Sequence, residues 1–301
     1  MQFITAEIMG GLGNQLFQIF TLLAYSFRQK IPFYFSTEPI HHGQRKKTYW
    51  DTPLLEPLKE FVKTPPLQAH PQIIREQNFH YQPLLVLSDE HIKLFGYFQS
   101  FKYFEDQKSS IFQLLKMDET QAAMKENTNN AYDYENTIAV HFRVGDYVQL
   151  QAYHPLMTLE YYTAVLNQFL KDQAQAPADA EAEAPTPAKI WQLLYFCEEN
   201  DQSYVETKMI KKLQENPDFK DKFIFKCIDH QLSDWEQMIV MSLCKHQVIA
   251  NSSFSWWGAY LSSCRERVQS KVYYPTTWFG RSMGHKNMSD LFPPHWTKIN
   301  V

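Results

Sequence analysis

A histidine and an arginine stand two positions apart in the stretch TIAVHFRVGD, residues 137–146. Its alternation predicts a strand that turns His141 and Arg143 to one face and buries, on the other face, Ile138, Val140 and Phe142. Gly145 is expected to end the strand. A guanidinium offers a planar fork of donors that fits two phosphate oxygens, and each charge-assisted bond contributes about 1.5–3 kcal/mol. The pair therefore predicts an anion site, with a structural surface pair as the alternative.

A second polar cluster follows the apolar segment 246–250, which is predicted to be a strand. Its members stand where a helix would begin, and they are Asn251, Ser252, Ser253, Phe254 and Ser255. Hydroxyl groups, free backbone N–H groups and the helix dipole at such a position favour a phosphate. Ordinary helix capping by Ser252 or Ser253 is the alternative.

A third candidate is the glycine-rich turn GGLGNQ at residues 10–15. It lies between a predicted strand at 3–8 and an apolar helical stripe, and a further strand is predicted at 31–35. Gly11, Gly13, Asn14 and Gln15 would let a ligand approach the backbone, but Leu16 replaces the third glycine of the dinucleotide fingerprint. The alternative is a tight turn with Asn14 capping the helix.

The elements around these residues alternate between strand and helix. In the second half, strands are predicted at residues 137–142, 190–196, 223–228, 246–250 and 271–275. Helical segments with apolar faces lie between them, and Ser233 with Glu236 forms a capping box for one of these. Such alternation is typical of a parallel, doubly wound α/β sheet. Because ligands bind outside the carboxyl ends of such strands, we expect the segments HFRVGD, CEEND and 251–255 to share one crevice.

The bulk properties are those of a soluble globular protein with room for two domains. The chain has 301 residues, 44% of them hydrophobic and 21% charged, and a net charge of −4. This charge argues against a general nucleic-acid or anionic-membrane surface. We find no run of about 20 apolar residues and no signal peptide pattern, which predicts a cytoplasmic protein with at most peripheral membrane contact.

No chemical role is predicted for the cysteines or for residues 174–189. The four cysteines lack C-x-x-C spacing and are expected to be buried thiols in a reducing compartment: Cys197, Cys227, Cys244 and Cys264. Residues 174–189 are rich in alanine, proline and acidic side chains, and they are expected to form a flexible surface insertion.

Several of these motifs, in this order, resemble the α-1,2-fucosyltransferases of glycosyltransferase family 11. The matching segments are GGLGNQLFQ (10–18), GYFQS (96–100), HFRVGDY (141–147), HPLMTLEYY (154–162), LYFCEEN (194–200) and HQVIANSSFSWWGAYL (246–261). The resemblance implies a GT-B fold, with two facing Rossmann-like domains at 1–135 and 136–301. The N-terminal domain would bind a β-galactoside acceptor, and the C-terminal domain would bind GDP-β-L-fucose. It also implies inversion to an α-1,2 linkage without a metal or other cofactor, in agreement with the absence of a D-x-D motif.

The resemblance also implies roles for individual residues. Arg143 would stabilise the charge on the leaving diphosphate, aided by His141 and by the 251–255 segment. The turn bearing Gly11, Gly13, Asn14 and Gln15 would line the cleft from the other domain. A general base for the galactose 2-hydroxyl would be Asp146, which the sequence slightly favours, or His154. Asp146 as a brace for Arg143 and His154 as a helix-entry residue are the alternatives.

Two departures from the family pattern affect these expectations. Val144 stands where the family often has a second arginine, so phosphate neutralisation depends more on Arg143. Cys197 and Glu198 stand where Ser-Asp is common, which leaves the expected nucleotide contact of Glu198 open. A fucosyltransferase of another linkage and a non-catalytic sugar-nucleotide-binding protein remain the rival functions, and the acceptor, such as lactose or an O-antigen glycan, is not indicated.

Overall fold

The computed structural model describes residues 2–37, 47–64, 71–86, 91–174, 189–262 and 270–300. The segment 175–188, which makes up nearly all of the predicted insertion, and Cys264 lie outside the described residues. The chain divides into two compact units. Unit 1 comprises Met1–Met124 and His285–Pro294, and unit 2 comprises Lys125–Gly284 and His295–Val301. The assignment of acceptor and donor to the two halves stays a prediction.

Unit 1 is built on a small parallel sheet in the order β1–β5–β4, with a separate parallel pair β2–β3. Its elements are β1 (Ile4–Ala6), α1 (Leu12–Gln29), β2 (Phe35–Ser36), β3 (Val62–Lys63), β4 (Gln72–Arg75), β5 (Ile92–Phe95), α2 (Lys108–Leu114) and α3 (Met117–Thr128), which runs on into unit 2. The strand predicted at 31–35 is confirmed in part. Phe33 forms an isolated parallel bridge with Ile4, through hydrogen bonds at Pro32 and Tyr34, and Phe35 begins the two-residue strand β2.

The helix α1 forms the centre of the unit 1 core. Phe17 and Phe20 are fully buried and pack against the ring of Phe104, at centroid distances of 6.1 and 5.4 Å. Complete burial of each such side chain contributes about 1.5–3 kcal/mol. This core fixes the start of α1, and with it the glycine-rich turn that precedes the helix.

Unit 2 contains a six-stranded parallel sheet in the order β11–β10–β9–β6–β7–β8. Its elements are β6 (Thr137–His141), α4 (Leu159–Ala174), β7 (Trp191–Phe196), α5 (Gln202–Val205), a π-helical turn (Glu206–Ile210), α6 (Lys211–Glu215), β8 (Phe223–Cys227), α7 (Asp234–Leu243), β9 (His246–Val248), α8 (Ser253–Ser262), β10 (Lys271–Pro275) and β11 (Thr297–Ile299). The predicted α/β class with parallel sheets is confirmed.

Both faces of β6 are covered. Ile138, Val140 and Phe142 belong to the core that packs against α4, as predicted. Ala139 and His141 are buried as well, so the expectation that the second face would be open is wrong. A central strand of a doubly wound sheet has helices on both sides, which buries even its polar residues.

Two helices pack closely on this sheet. The capping box of Ser233 and Glu236 is present at the start of α7, as predicted. Trp256 and Trp257 of α8 are fully buried. A Cβ atom at Gly258 would lie 2.6 Å from the sulfur of Met241 in α7, so any larger residue would force the Met241 side chain to move. The start of α8 is therefore held firmly at the edge of the sheet.

Candidate functional site

The candidate site of unit 2 lies where the strand order reverses. From β6 the chain adds β7 and β8 on one side, and then β9 returns to the other side of β6. The loops after β6 and β9 consequently diverge from neighbouring strand ends, which is where open α/β sheets bind ligands. The first loop carries Arg143 and the second loop leads into α8.

Arg143 is held by carboxylates on two different loops. Its Nη1 donates to Glu198 Oε1 and its Nη2 donates to Asp146 Oδ1. The Arg143 side chain is only 14% exposed, whereas each carboxylate partner is 46% exposed. Burial opposes the charge, but Glu198 and Asp146 outweigh it and raise the pKa of Arg143 above its ordinary value. The guanidinium is thus a fixed positive charge in a largely enclosed position.

His141 lies at the end of β6 as a neutral imidazole. Burial, followed by the nearby charge of Arg143, lowers the pKa of His141 to about 3. Its Nδ1 is buried and has no hydrogen-bond partner within the described part of the chain. The ring lies 5.4 Å from the ring of Phe254 at the start of α8. His141 can therefore offer a hydrogen bond at neutral pH, but not a positive charge.

Gly145 shapes the loop that carries Arg143. Its φ of +36° lies in the left-handed region, and a Cβ atom there would lie 3.2 Å from Glu198 Oε2. Its backbone N–H donates to Asp201 Oδ2 over 2.7 Å. The strand itself ends at His141, four residues before Gly145, and a short 3-10 turn begins at the glycine. Asp201 was not singled out from the sequence, although it belongs to the CEEND segment.

Tyr147 connects several of the predicted residues. The Arg143 guanidinium lies 5.1 Å from the centre of its ring, and the His154 ring stacks on it at 4.9 Å. The Tyr147 hydroxyl donates to the Asn251 carbonyl over 3.0 Å. His154 therefore reaches the cluster through an aromatic stack. The signal that could have identified Tyr147 is its place in the HFRVGDY segment.

The segment before α8 presents both satisfied and unsatisfied polar groups. Asn251 Nδ2 donates to the carbonyls of Pro155 and Trp278, over 2.9 and 3.1 Å. Asn251 Oδ1 is buried without a hydrogen-bond partner among the residues that the structure describes. Ser252 Oγ accepts from the N–H of Phe254 over 3.3 Å, and Ser255 Oγ donates to backbone carbonyls at the same helix start. Capping therefore takes place here, as the alternative interpretation expected, beside a buried acceptor.

The glycine-rich turn belongs to unit 1 and is organised differently. Gly10, with φ of +78°, is the position of the turn that requires glycine and was missed, whereas Gly11 is the N-cap of α1 and Gly13 is buried in its first turn. The alternative in which Asn14 caps the helix is wrong, because Gly11 is the N-cap and Asn14 Oδ1 instead accepts from Gln99 Nε2 over 2.8 Å. Gln15 Nε2 donates to the carbonyls of Gly10 and Lys47, over 2.9 and 2.7 Å. The side chain of Gln15 thus stabilises the turn.

The structure brings most of the predicted unit 2 residues together. Direct contacts join Arg143, Asp146 and Glu198, while His141 contacts Phe254, and Tyr147 links His154 and the Asn251 backbone. The cluster combines a fixed cation, a neutral imidazole and a helix N-terminus at one sheet edge. Such a combination stabilises a diphosphate on which negative charge increases.

No helix in the described ranges is both long enough and apolar enough to cross a bilayer. This agrees with the hydropathy of the sequence and bears only on the helices that were described.

Comparisons with known proteins extend these observations. Residues 186–300 match the family described as "Glycosyl transferase family 11". A protein of Escherichia coli named "Alpha-1,2-colitosyltransferase" is 25% identical over 318 residues, covering 99% of this chain and 99% of that protein. A "Galactoside 2-alpha-L-fucosyltransferase" of Caenorhabditis elegans is 25% identical over 311 residues, covering 99% of this chain and 79% of the relative.

Among solved structures, an Arabidopsis thaliana FUT1 mutant in complex with GDP is similar, with 13% identity and a TM-score of 0.46. The alignment covers 92% of this chain and 71% of that chain. The match to glycosyltransferase family 11 is confined to the C-terminal part of the chain, whereas the two relatives, both named as sugar transferases, align along 99% of it. Together these matches support a glycosyltransferase.

Proposed function

We propose that this glycosyltransferase moves L-fucose from GDP-β-L-fucose to the 2-hydroxyl of a terminal β-galactose, with inversion and without a metal. The acceptor oxygen forms a bond to the anomeric carbon of fucose as the bond from that carbon to the β-phosphate breaks. GDP leaves with the electron pair, and the hydroxyl proton passes to a base or to water. The names of the relatives support this donor and this linkage. The anion site of unit 2, which is suited to a diphosphate, supports the donor as well.

The observation that carries the proposal is the position of Arg143. A largely enclosed guanidinium lies at the switch point of the unit 2 sheet and is oriented by Glu198 and Asp146. Negative charge grows on the β-phosphate as the sugar acquires oxocarbenium character. A donor that is fixed before the reaction stabilises that charge without reorganisation, and one such donor typically contributes a factor of about 10²–10³ in rate.

The neighbouring groups supply hydrogen bonds. His141, neutral because of its lowered pKa, would donate to the diphosphate or accept from a sugar hydroxyl. The start of α8 would add the positive end of the helix dipole, mainly through the backbone N–H groups of Ser253 and Ser255, since those of Ser252 and Phe254 already donate within the segment. Gly11 and Gly13 would contribute backbone atoms. Asn14 Oδ1 and Gln15 Nε2 already have partners within unit 1, whereas Gln15 Oε1 is buried without a partner among the described residues and is left as an acceptor.

Asp146 is assigned here to positioning. Its carboxylate accepts a hydrogen bond from Arg143, which limits its ability to accept a proton from a sugar hydroxyl. His154, which stacks on Tyr147, is then the remaining candidate for a general base. If departure of GDP runs ahead of attack, bulk water accepts the proton and neither residue is essential as a base.

The test is an incubation of the full chain with GDP-fucose and a panel of β-galactosides that includes lactose and lacto-series chains. Product mass and NMR linkage identify the reaction, and the Arg143→Ala variant is the matched control. An α-1,2-linked product that depends on Arg143 is the expected result. A different linkage, or GDP-fucose binding without turnover, would refute the proposal in favour of the two rival functions.

The name of one relative suggests GDP-colitose as a second candidate sugar donor. The Escherichia coli relative that matches over 99% of this chain is named a colitosyltransferase. Colitose is L-fucose without its 3-hydroxyl, so GDP-colitose would present the same diphosphate to Arg143. Competition between the two donors at equal concentration distinguishes them, because a site that binds the 3-hydroxyl rejects the deoxy sugar strongly.

A further inference from the structure

Three side chains with soft or borderline ligand atoms meet at the ends of two neighbouring strands of unit 2. Cys197 follows β7 directly, Cys227 is the last residue of β8, and His230 stands three positions further on. The two strands are parallel, with Tyr195 opposite Cys227 in the register. Cys197 is two positions beyond Tyr195, so both thiols lie on the same face at the same sheet edge.

The spacing of the ligand atoms matches a tetrahedral ion. The sulfur atoms of Cys197 and Cys227 and a ring nitrogen of His230 lie within 4.8 Å of one another. The distance from Cys227 Sγ to His230 Nε2 is 3.5 Å. Around a zinc ion, with bonds of about 2.3 Å to sulfur and 2.0 Å to nitrogen, these two atoms would be about 3.5 Å apart and two sulfurs about 3.8 Å apart. The distances that involve the sulfur of Cys197 are at most 4.8 Å, which exceeds the ideal separation of two sulfurs by about 1 Å.

Charge and access also favour a cation. The carboxylates of Asp201 and Glu206 both act electrostatically on Cys197. Cys197 is buried, whereas Cys227 and His230 are half-buried, so an ion can approach from the side of those two residues. Thiolate and imidazole ligands select zinc-like ions, whereas magnesium and calcium prefer oxygen ligands.

We infer that Cys197, Cys227 and His230 form a binding site for one divalent ion of the zinc class. Each thiol gives up its proton to solvent on binding, and the fourth tetrahedral position takes water. The site is separate from the proposed diphosphate site and does not depend on the proposed function. It adjoins that site, however, because Cys197 immediately precedes Glu198, whose carboxylate binds Arg143.

The test is a titration of the reduced full chain with Co²⁺, which serves as a spectroscopic probe for zinc. We expect one equivalent to produce cobalt–thiolate charge-transfer absorption, which Zn²⁺ then abolishes by displacement. His230→Ala should weaken binding at least tenfold, and Cys197→Ser or Cys227→Ser should also reduce the thiolate absorption to about half. Cys244→Ser is the matched control, since its buried thiol donates to the Val240 carbonyl outside the cluster.

A second measurement needs no variant. Zn²⁺, but not Mg²⁺, should slow the alkylation of Cys197 and Cys227 in the wild-type chain, as read by peptide mass spectrometry. Wild-type protein that gives neither cobalt–thiolate absorption nor zinc protection would overturn the inference. An unchanged affinity for Co²⁺ in all three ligand variants would also overturn the inference. Thermal melting verifies that each variant is folded.

Discussion

The glycine-rich turn of unit 1 and the strand-end cluster of unit 2 contain similar kinds of polar residue but use them in opposite ways. In unit 1, Gln15 donates to two backbone carbonyls, and Gln18 accepts from the N–H of Met9 and donates to its carbonyl, over 2.7 and 3.0 Å. In unit 2, Arg143 binds two half-exposed carboxylates. The first set of side chains maintains a backbone shape, and the second set holds a charge in place.

This difference separates stability from chemistry. An amide atom that already satisfies a buried backbone group is costly to remove and is not available to a ligand. A guanidinium held by exposed carboxylates can exchange part of that pairing for phosphate oxygens. Variants of unit 1 should therefore affect unfolding, whereas variants of unit 2 should affect turnover, and the predictions below test this division.

The largest effect is expected at Arg143. Arg143→Ala should lower kcat/KM for transfer about 10²–10³-fold because the developing phosphate charge loses its fixed partner. Arg143→Lys should recover part of this loss, since lysine keeps the charge but not the planar fork. Initial rates of GDP release and thermal melting of each variant provide the measurement. Transfer at near wild-type rates by the alanine variant would remove Arg143 from the mechanism.

The counterpart in unit 1 is Gln18→Ala. The variant leaves the backbone N–H and carbonyl of buried Met9 without these partners, so the free energy of unfolding should fall by about 2–3 kcal/mol. The value of kcat at a temperature where the variant is folded should change less than about twofold. Urea denaturation and steady-state kinetics measure the two quantities, and Gln113→Ala on the exposed surface of α2 is the matched control. A large loss of kcat without a loss of stability would contradict the division.

Asp146→Asn tests positioning against base catalysis. If the carboxylate only orients Arg143, transfer and hydrolysis of the donor should fall together, by about tenfold, which corresponds to about 1.4 kcal/mol. If Asp146 is the general base, transfer should fall about 10²–10⁴-fold while donor hydrolysis is largely retained. The same pair of assays on His154→Ala completes the comparison.

The smallest effect concerns pH. Burial lowers the pKa of His141 and of His246, both in unit 2, to about 3. Between pH 6.5 and 3 the unfolded chain therefore binds protons that the folded chain does not, so stability falls as the pH falls through this window. From pH 7 to 5.5 each histidine should cost about 1 kcal/mol. Replacing either histidine by glutamine should remove about half of the histidine-dependent change in unfolding free energy with pH, measured by urea denaturation at several pH values. An unchanged pH dependence in both variants would show that neither histidine is buried as described.

Hydrophobic periodicity predicted the parts of the fold that depend on local pattern. The strands of unit 2, the helix α4 and the capping box at Ser233 were all indicated because each is encoded within a few neighbouring residues. The edge shared by HFRVGD, CEEND and residues 251–255 also followed, since parallel strands end on the same side.

Features that depend on distant partners were not predictable. Asn14 contacts Gln99, which lies 85 positions away, so its side chain could not be recognised as a structural acceptor. The burial of Ala139 and His141 depends on helices packed on both faces of β6. Likewise, the pairing of Arg143 with Glu198 joins two loops separated by 55 positions, and Asp201 was overlooked for the same reason.

The close approach at Gly258 has a consequence for how loss-of-function variants would be interpreted. Gly258 lies five residues beyond Ser253, about 7.5 Å along the helix axis from the amides that face the strand ends. A methyl group there would displace the side chain of Met241 and so disturb the packing of α7 on α8 that positions those amides, without contacting any substrate. A genetic screen scored only on sugar transfer would thus class Gly258 with the residues that bind the donor, although it acts as a spacer between two helices.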